Sequence, residues 1–119
     1  MTSYHCSYFG TEQGRYPVEE FIDAIDEVAQ RKFVYKRSML ESLGPRLMEP
    51  HAKSLGGGIF ELRVSGRDSD FRVFYFFDGR RVIFTNAFKK KTGRTPKQEL
   101  ALALSRMGIF LASPDKYSL

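Results

Sequence analysis

The chain has 119 residues, 42% of them hydrophobic, with eleven Phe, six Tyr and no Trp, a composition that excludes disorder and suits one domain, residues 1–119, with a modest core of its own. A single cysteine, Cys6, excludes an intramolecular disulfide; no N-terminal segment combines a basic start, a long apolar run and a small-residue cleavage site, and no apolar run approaches the roughly 20 residues that span a bilayer. A cytoplasmic protein without membrane insertion is therefore expected, and its net charge of +5 is placed unevenly.

Residues 1–52 carry six Lys and Arg against eight Asp and Glu, residues 53–97 carry eleven against four, and residues 98–119 carry two against two. The middle segment holds the whole excess; surface lysines that favour solubility need no partner, and clustering of this kind equally suits a polyanionic partner.

In chain order, Tyr4 to Phe9 is a short aromatic run suited to an edge strand, and Gly10 to Tyr16 reads as a polar turn. Pro17 suits a first helical turn, and Val18, Phe21, Ile22, Ile25, Val28 and Ala29 recur at three- and four-residue spacing, which predicts an amphipathic helix. A second helix, from about Gln30 to Leu43, sets Phe33, Leu40 and Leu43 on one side and stops at Gly44-Pro45, so a helical hairpin is expected. Arg46 to Gly58 lacks periodicity, ends in three glycines and reads as a loop. The period then changes. In IFELRVS, Phe60, Leu62 and Val64 alternate with Glu61, Arg63 and Ser65, which predicts a strand with one apolar and one polar face; FRVFYFF and RVIFTNAF follow as two more strands, separated by the turns GRDSD and DGR. Thr95-Pro96-Lys97-Gln98 fits a capping box with proline at the first helical position, and Leu100, Leu104, Met107 and Leu111 predict the inner stripe of a last helix, with the tail from Pro114 frayed. The expectation is an α+β domain: an antiparallel meander packed against an N-terminal helical hairpin and a C-terminal helix, in the order (β)ααβββα.

Cys6, His5 and His51 form no spaced ligand set, no nucleophile elbow is present, and Gly56-Gly57-Gly58 lacks the Lys-Ser/Thr of a phosphate loop, so neither a metal nor a cofactor is expected. The basic residues say more. Arg63 and Arg72 interrupt adjacent apolar strands; either Arg63 pairs with Glu61 or Asp70 on a solvated face, or the two planar forks clamp a phosphate from rigid supports. Lys89, Lys90, Lys91 and Arg94 crowd the handover from the last strand to the last helix, whose free amides also favour anions.

In combination, Glu61-Leu62-Arg63, Phe71-Arg72-Val73 and Phe88-Lys89-Lys90-Lys91 followed by Thr95-Pro96 resemble the core of the HigB-like, phage-derived branch of the RelE/ParE toxin superfamily, and the resemblance extends back over the helices. It implies a RelE-like fold and the toxin of a type II toxin–antitoxin pair, a ribosome-dependent mRNA endoribonuclease. In such enzymes a ribose 2′-hydroxyl attacks the adjacent phosphate in the ribosomal A site without a metal. By resemblance Arg63 and Arg72 stabilise charge growing on the phosphate, with Glu61 the nearest candidate base. Lys53, Lys89, Lys90, Lys91 and Arg94 hold RNA, and Phe88 either stacks on a base or caps the core. The implied partner is a helix-turn-helix antitoxin whose acidic or amphipathic segment covers the basic face. One departure stands out: several ribonuclease members carry His or a His/Tyr pair where this chain has Thr85-Asn86-Ala87. His51 is a further residue in reach. The departure keeps two other readings open, a ParE-like gyrase inhibitor and a non-catalytic nucleic-acid-binding protein of phage origin.

Overall fold

A computed structural model describes residues 3–91 and 93–114; residues 1–2, Thr92 and the tail after Pro114 lie outside the described residues. The elements are β1 (His5–Tyr8), α1 (Pro17–Ala24), α2 (Glu27–Leu43), a 3-10 turn at Gly44–Arg46, β2 (Ala52–Gly56), β3 (Ile59–Ser65), β4 (Asp70–Asp78), β5 (Arg81–Lys89) and α3 (Lys97–Ala112). They build a mixed α+β fold around a five-stranded sheet of order β1-β5-β4-β3-β2. From β1 the chain crosses to the far edge of the sheet through α1 and α2, and β2 to β5 then form an antiparallel meander whose last strand, β5, pairs with β1 in parallel.

This order corrects (β)ααβββα by one strand. Residues 52–56, read as loop, pair with β3 through Lys53↔Glu61 and Ala52↔Leu62. Their period is hidden because an edge strand of Lys, Ser and Gly has little apolar face to show. The three glycines form the turn that closes this hairpin, and Gly56, Gly57 and Gly58 all take positive φ, a conformation open to glycine at low cost.

The boundary between the first two helices also moves. α1 ends at Ala24, Ile25 is extended, and Asp26 caps α2 by accepting the Ala29 N–H at 2.9 Å. A short acidic N-cap outweighs the apolar repeat that runs through it. Gln30 Nε2 donates to the Ile22 carbonyl at 2.8 Å, alongside the Ile25 N–H at 3.4 Å, and so helps close the end of α1. α1 packs mainly on β5 and α2 mainly on β3, so each helix leans on the sheet more than on the other.

Alternation along the strands divides the apolar residues between two faces. Under α1 and α2 lie Phe33, Leu40, Leu62, Val73, Tyr75 and Phe84; under α3 lie Ile59, Phe74, Phe76, Ile83, Ala103 and Phe110. Each fully buried Phe contributes about 1.5–3 kcal/mol relative to an exposed one. The inner stripe of α3 is Leu100, Ala103, Met107 and Phe110, whereas Leu104 and Leu111, expected inside, are exposed. Leucines recur all round this helix, so spacing alone does not select its inner face. The expected capping box is absent as well: Pro96 itself is the N-cap and no side chain caps the helix.

One irregularity in β5 sets which of its side chains share a face. Phe74 pairs with Asn86 and Tyr75 with Phe84, which leaves Thr85 as the extra residue of a bulge. Before it, Val82 and Phe84 face α1 and α2; after it, Phe88 faces α3. The bulge reverses the parity of the strand and turns Phe88 to the opposite side.

Candidate functional site

The face of the sheet under α3 is covered only in part. At the end left open, register brings Arg63 opposite Arg72, Arg72 opposite Phe88, and Lys53 opposite Glu61, all projecting to the same side. The segment Gly93–Pro96 that leads into α3 forms the facing wall. Between them is a cleft of about 220 Å³ whose lining includes five cationic residues, Lys53, Arg63, Arg72, Lys90 and Arg94, and one carboxylate, Glu61.

Glu61 organises the two arginines. It is 7% exposed, its Oε2 accepts from Arg63 Nε at 3.1 Å, and its Oε1 lies 3.7 Å from Arg72 Nε. Arg72 Nη1 also donates to the Phe71 carbonyl at 3.0 Å, and Arg63 Nη2 donates to Glu49 Oε1 at 3.2 Å. A carboxylate with both oxygens turned to guanidinium groups fixes the direction of both forks. Of the two readings of Arg63, its pairing with Glu61 is real and Asp70 is not the partner; the pairing also serves to aim the arginine into the cleft.

The three lysines are placed differently. All three line a shallow depression with Asp68 and Ser69 of the β3–β4 turn and Asp70 at the start of β4, but only Lys90, which is half-buried, also lines the cleft, while Lys89 and Lys91 are exposed. Successive residues at the end of a strand point to opposite sides, which leaves Lys90 alone of the three in the lining of the cleft itself. Phe88 is half-buried, edge-on to Phe74 with centroids 5.1 Å apart, and its outer side lines the cleft.

Thr85 and Asn86, near the end of the last strand, have structural work here. Thr85 Oγ1 donates to Asn86 Oδ1 at 2.7 Å, and Asn86 Nδ2 donates to the Glu99 carbonyl at 3.1 Å and to Glu99 Oε1 at 3.0 Å. Arg106 Nη1 donates to the Thr85 carbonyl at 2.8 Å, with its guanidinium 5.4 Å from the ring centre of Phe9. This network fastens α3 to the bulge. His51 lies outside the cleft lining; its carbonyl accepts the Arg63 N–H at 2.9 Å, and its Nδ1 is buried without a hydrogen-bond partner among the described residues.

Two contributors escape sequence reasoning. Glu49 reaches Arg63 from a turn fourteen positions earlier, with no pattern to announce it. Lys36 of α2 is held below the ordinary lysine range, first by burial and then by the positive charge of Lys32, Arg72 and Arg63. The potential of the cleft therefore reaches the helical side of the sheet. Among the described residues, no group of three or more His, Cys, Asp or Glu is placed to hold a metal ion, and no helix is long and apolar enough to cross a membrane.

Residues 20–108 match the family described as Phage derived protein Gp49-like (DUF891). The chain belongs to this family. The Gp49-like proteins are a RelE/HigB-like toxin family associated with endoribonuclease activity, and a toxin–antitoxin family suggests an antitoxin as partner. The match runs from within α1 into α3 and includes every residue of the cleft, whereas β1 lies outside it. No curated protein matches the chain.

Proposed function

We propose that the chain is the toxin of a type II toxin–antitoxin system, and that its cleft cleaves mRNA in the ribosomal A site by metal-independent attack of a ribose 2′-hydroxyl on the adjacent phosphate. The observation that carries this reading is Arg63 and Arg72, opposed across β3 and β4 and aimed by the one carboxylate they share. As the 2′-hydroxyl gives up its proton to water, O2′ bonds to phosphorus and the bond to O5′ breaks, charge grows on the non-bridging oxygens. Two preoriented guanidinium groups favour that state over the ground state. The products are a 2′,3′-cyclic phosphate and a 5′-hydroxyl. Lys53 and Lys90, on opposite flanks, draw in the backbone, and a lysine there can protonate the departing O5′. Glu61 acts as a positioning residue, because both of its oxygens are engaged, and Phe88 offers a ring edge to a base. The partner is a helix-turn-helix antitoxin that masks the basic cleft.

The test is to express wild type, Arg63→Ala and Arg72→Ala and to map RNA 5′ ends. Codon-phased 5′-hydroxyl ends are expected from wild type alone, with each variant folded and slowed by about 10²–10³-fold, the range for loss of one oxyanion donor. Arg72→Lys should not restore the rate, since an ammonium lacks the planar fork. A gyrase-inhibiting reading is favoured by one observation, the commitment of Asn86 to Glu99 where a proton carrier would stand. Growth arrest without new 5′ ends would select that reading instead.

A further inference from the structure

Arg63 meets two carboxylates of opposite character. The Glu61 side chain, from the same strand, is 9% exposed and bridges to Arg72; the Glu49 side chain, from the turn before β2, is 59% exposed and bonds to Nη2. Nη1 and Nη2 together form the end-on fork that matches two phosphate oxygens, and Glu49 holds one prong of it. A buried bridging carboxylate is costly to move, whereas an exposed one exchanges readily with an incoming anion.

We propose that Glu49 is a displaceable counter-ion of the cleft: it occupies Arg63 Nη2 in the free protein and yields that position to a phosphate oxygen of the incoming strand. Glu49 thereby sets affinity for the phosphodiester without entering the chemistry. The proposal rests on reading the cleft as a phosphate site. It has a thermodynamic signature, because each phosphate neutralised by a cation adds about −0.7 to the salt slope of single-strand binding. A cation already neutralised from within contributes less, since the released carboxylate takes up an ion from solution.

The experiment uses two probes on wild type, Glu49→Gln and Glu49→Ala. Inorganic sulfate is titrated while the Nε–H resonances of Arg63 and Arg72 are followed by NMR. A fully 2′-O-methylated oligoribonucleotide, which cannot be cleaved by its own 2′-oxygen, is titrated at several salt concentrations. Both variants are expected to bind sulfate about two- to fivefold more tightly, the most that an exposed ion pair is worth, and to bind the oligonucleotide with a steeper salt slope. Unchanged or weaker sulfate binding in both variants overturns the proposal. If the oligonucleotide still binds with an unchanged slope, the RNA reading survives that loss. Tighter sulfate binding by the variants, with no oligonucleotide bound by any form, supports the counter-ion role and removes strand binding by the free protein, leaving the ribosome-dependent reading to the mapping of 5′ ends.

Discussion

Asn86 and Glu61 are both buried polar residues on the α3 side of the sheet, yet their surroundings give them different work. Glu61 directs its lone pairs to cations that face a cleft; Asn86 directs its donors to the first turn of α3. Asn86→Ala leaves the Glu99 carbonyl and carboxylate without that donor and takes the Oδ1 acceptor from Thr85 Oγ1. A lower urea midpoint is expected, equivalent to about 1–3 kcal/mol for the groups left unsatisfied. Sulfate affinity should weaken in the same variant, because the segment before α3 is a wall of the cleft. Retained sulfate affinity would show that the cleft does not depend on this tie. Arg63, Arg72 and Glu61 were legible in the sequence because charge inside an apolar strand demands an explanation. Glu49 and Asn86 were not: their roles depend on a turn and a helix brought in from elsewhere in the chain.

At the scale of elements, β1 was readable as a short aromatic edge run and β3, β4 and β5 as apolar strands, whereas β2 was not. β3, β4 and β5 declare themselves by alternation, while β2 reads as loop and the bulge at Thr85 leaves no mark in composition. Uniform alternation along β5 would have put Phe88 on the side of Phe84, away from the arginines. The glycine turn between β2 and β3 gives the prediction at this scale. Gly58 has φ +89°, so Gly58→Val should cost about 1–3 kcal/mol in backbone strain. Anion affinity should fall with it, because the hairpin holds Lys53 opposite Glu61. Gly108, exposed within α3 with nothing within 4 Å of the place a Cβ would take, is the contrast. Gly108→Ala should raise stability by roughly 0.5–1 kcal/mol through helix propensity. Thermal melts of the two variants check both signs.

For the whole molecule, the larger core carries a liability at high pH. Burial and the nearby Glu41 push the Cys6 thiol from 9.0 up to about 12, against the opposing charge of Arg37; burial also raises the Tyr75 and Tyr8 phenols. A group whose pKa is raised on folding keeps its proton longer in the native state, so the native form binds more protons over the interval between the two values. For Cys6 the contribution is fully present below about pH 9 and is lost as pH rises towards 12. Stability measured in urea should therefore decline across that window, and Cys6→Ala should flatten the decline. A decline unchanged in Cys6→Ala would assign it to the phenols alone. The same sheet also ends in an open border. β2 is five residues long, bears Lys53 at its second position, and changes register between Ser54 and Gly56. A short, charged, kinked border is a poor template for another strand, so the features that carry the cleft's outermost cation also protect the protein from stacking into aggregates. Replacing Lys53 with an apolar residue would then do more than weaken anion capture: it would leave the molecule prone to edge-to-edge association at high concentration.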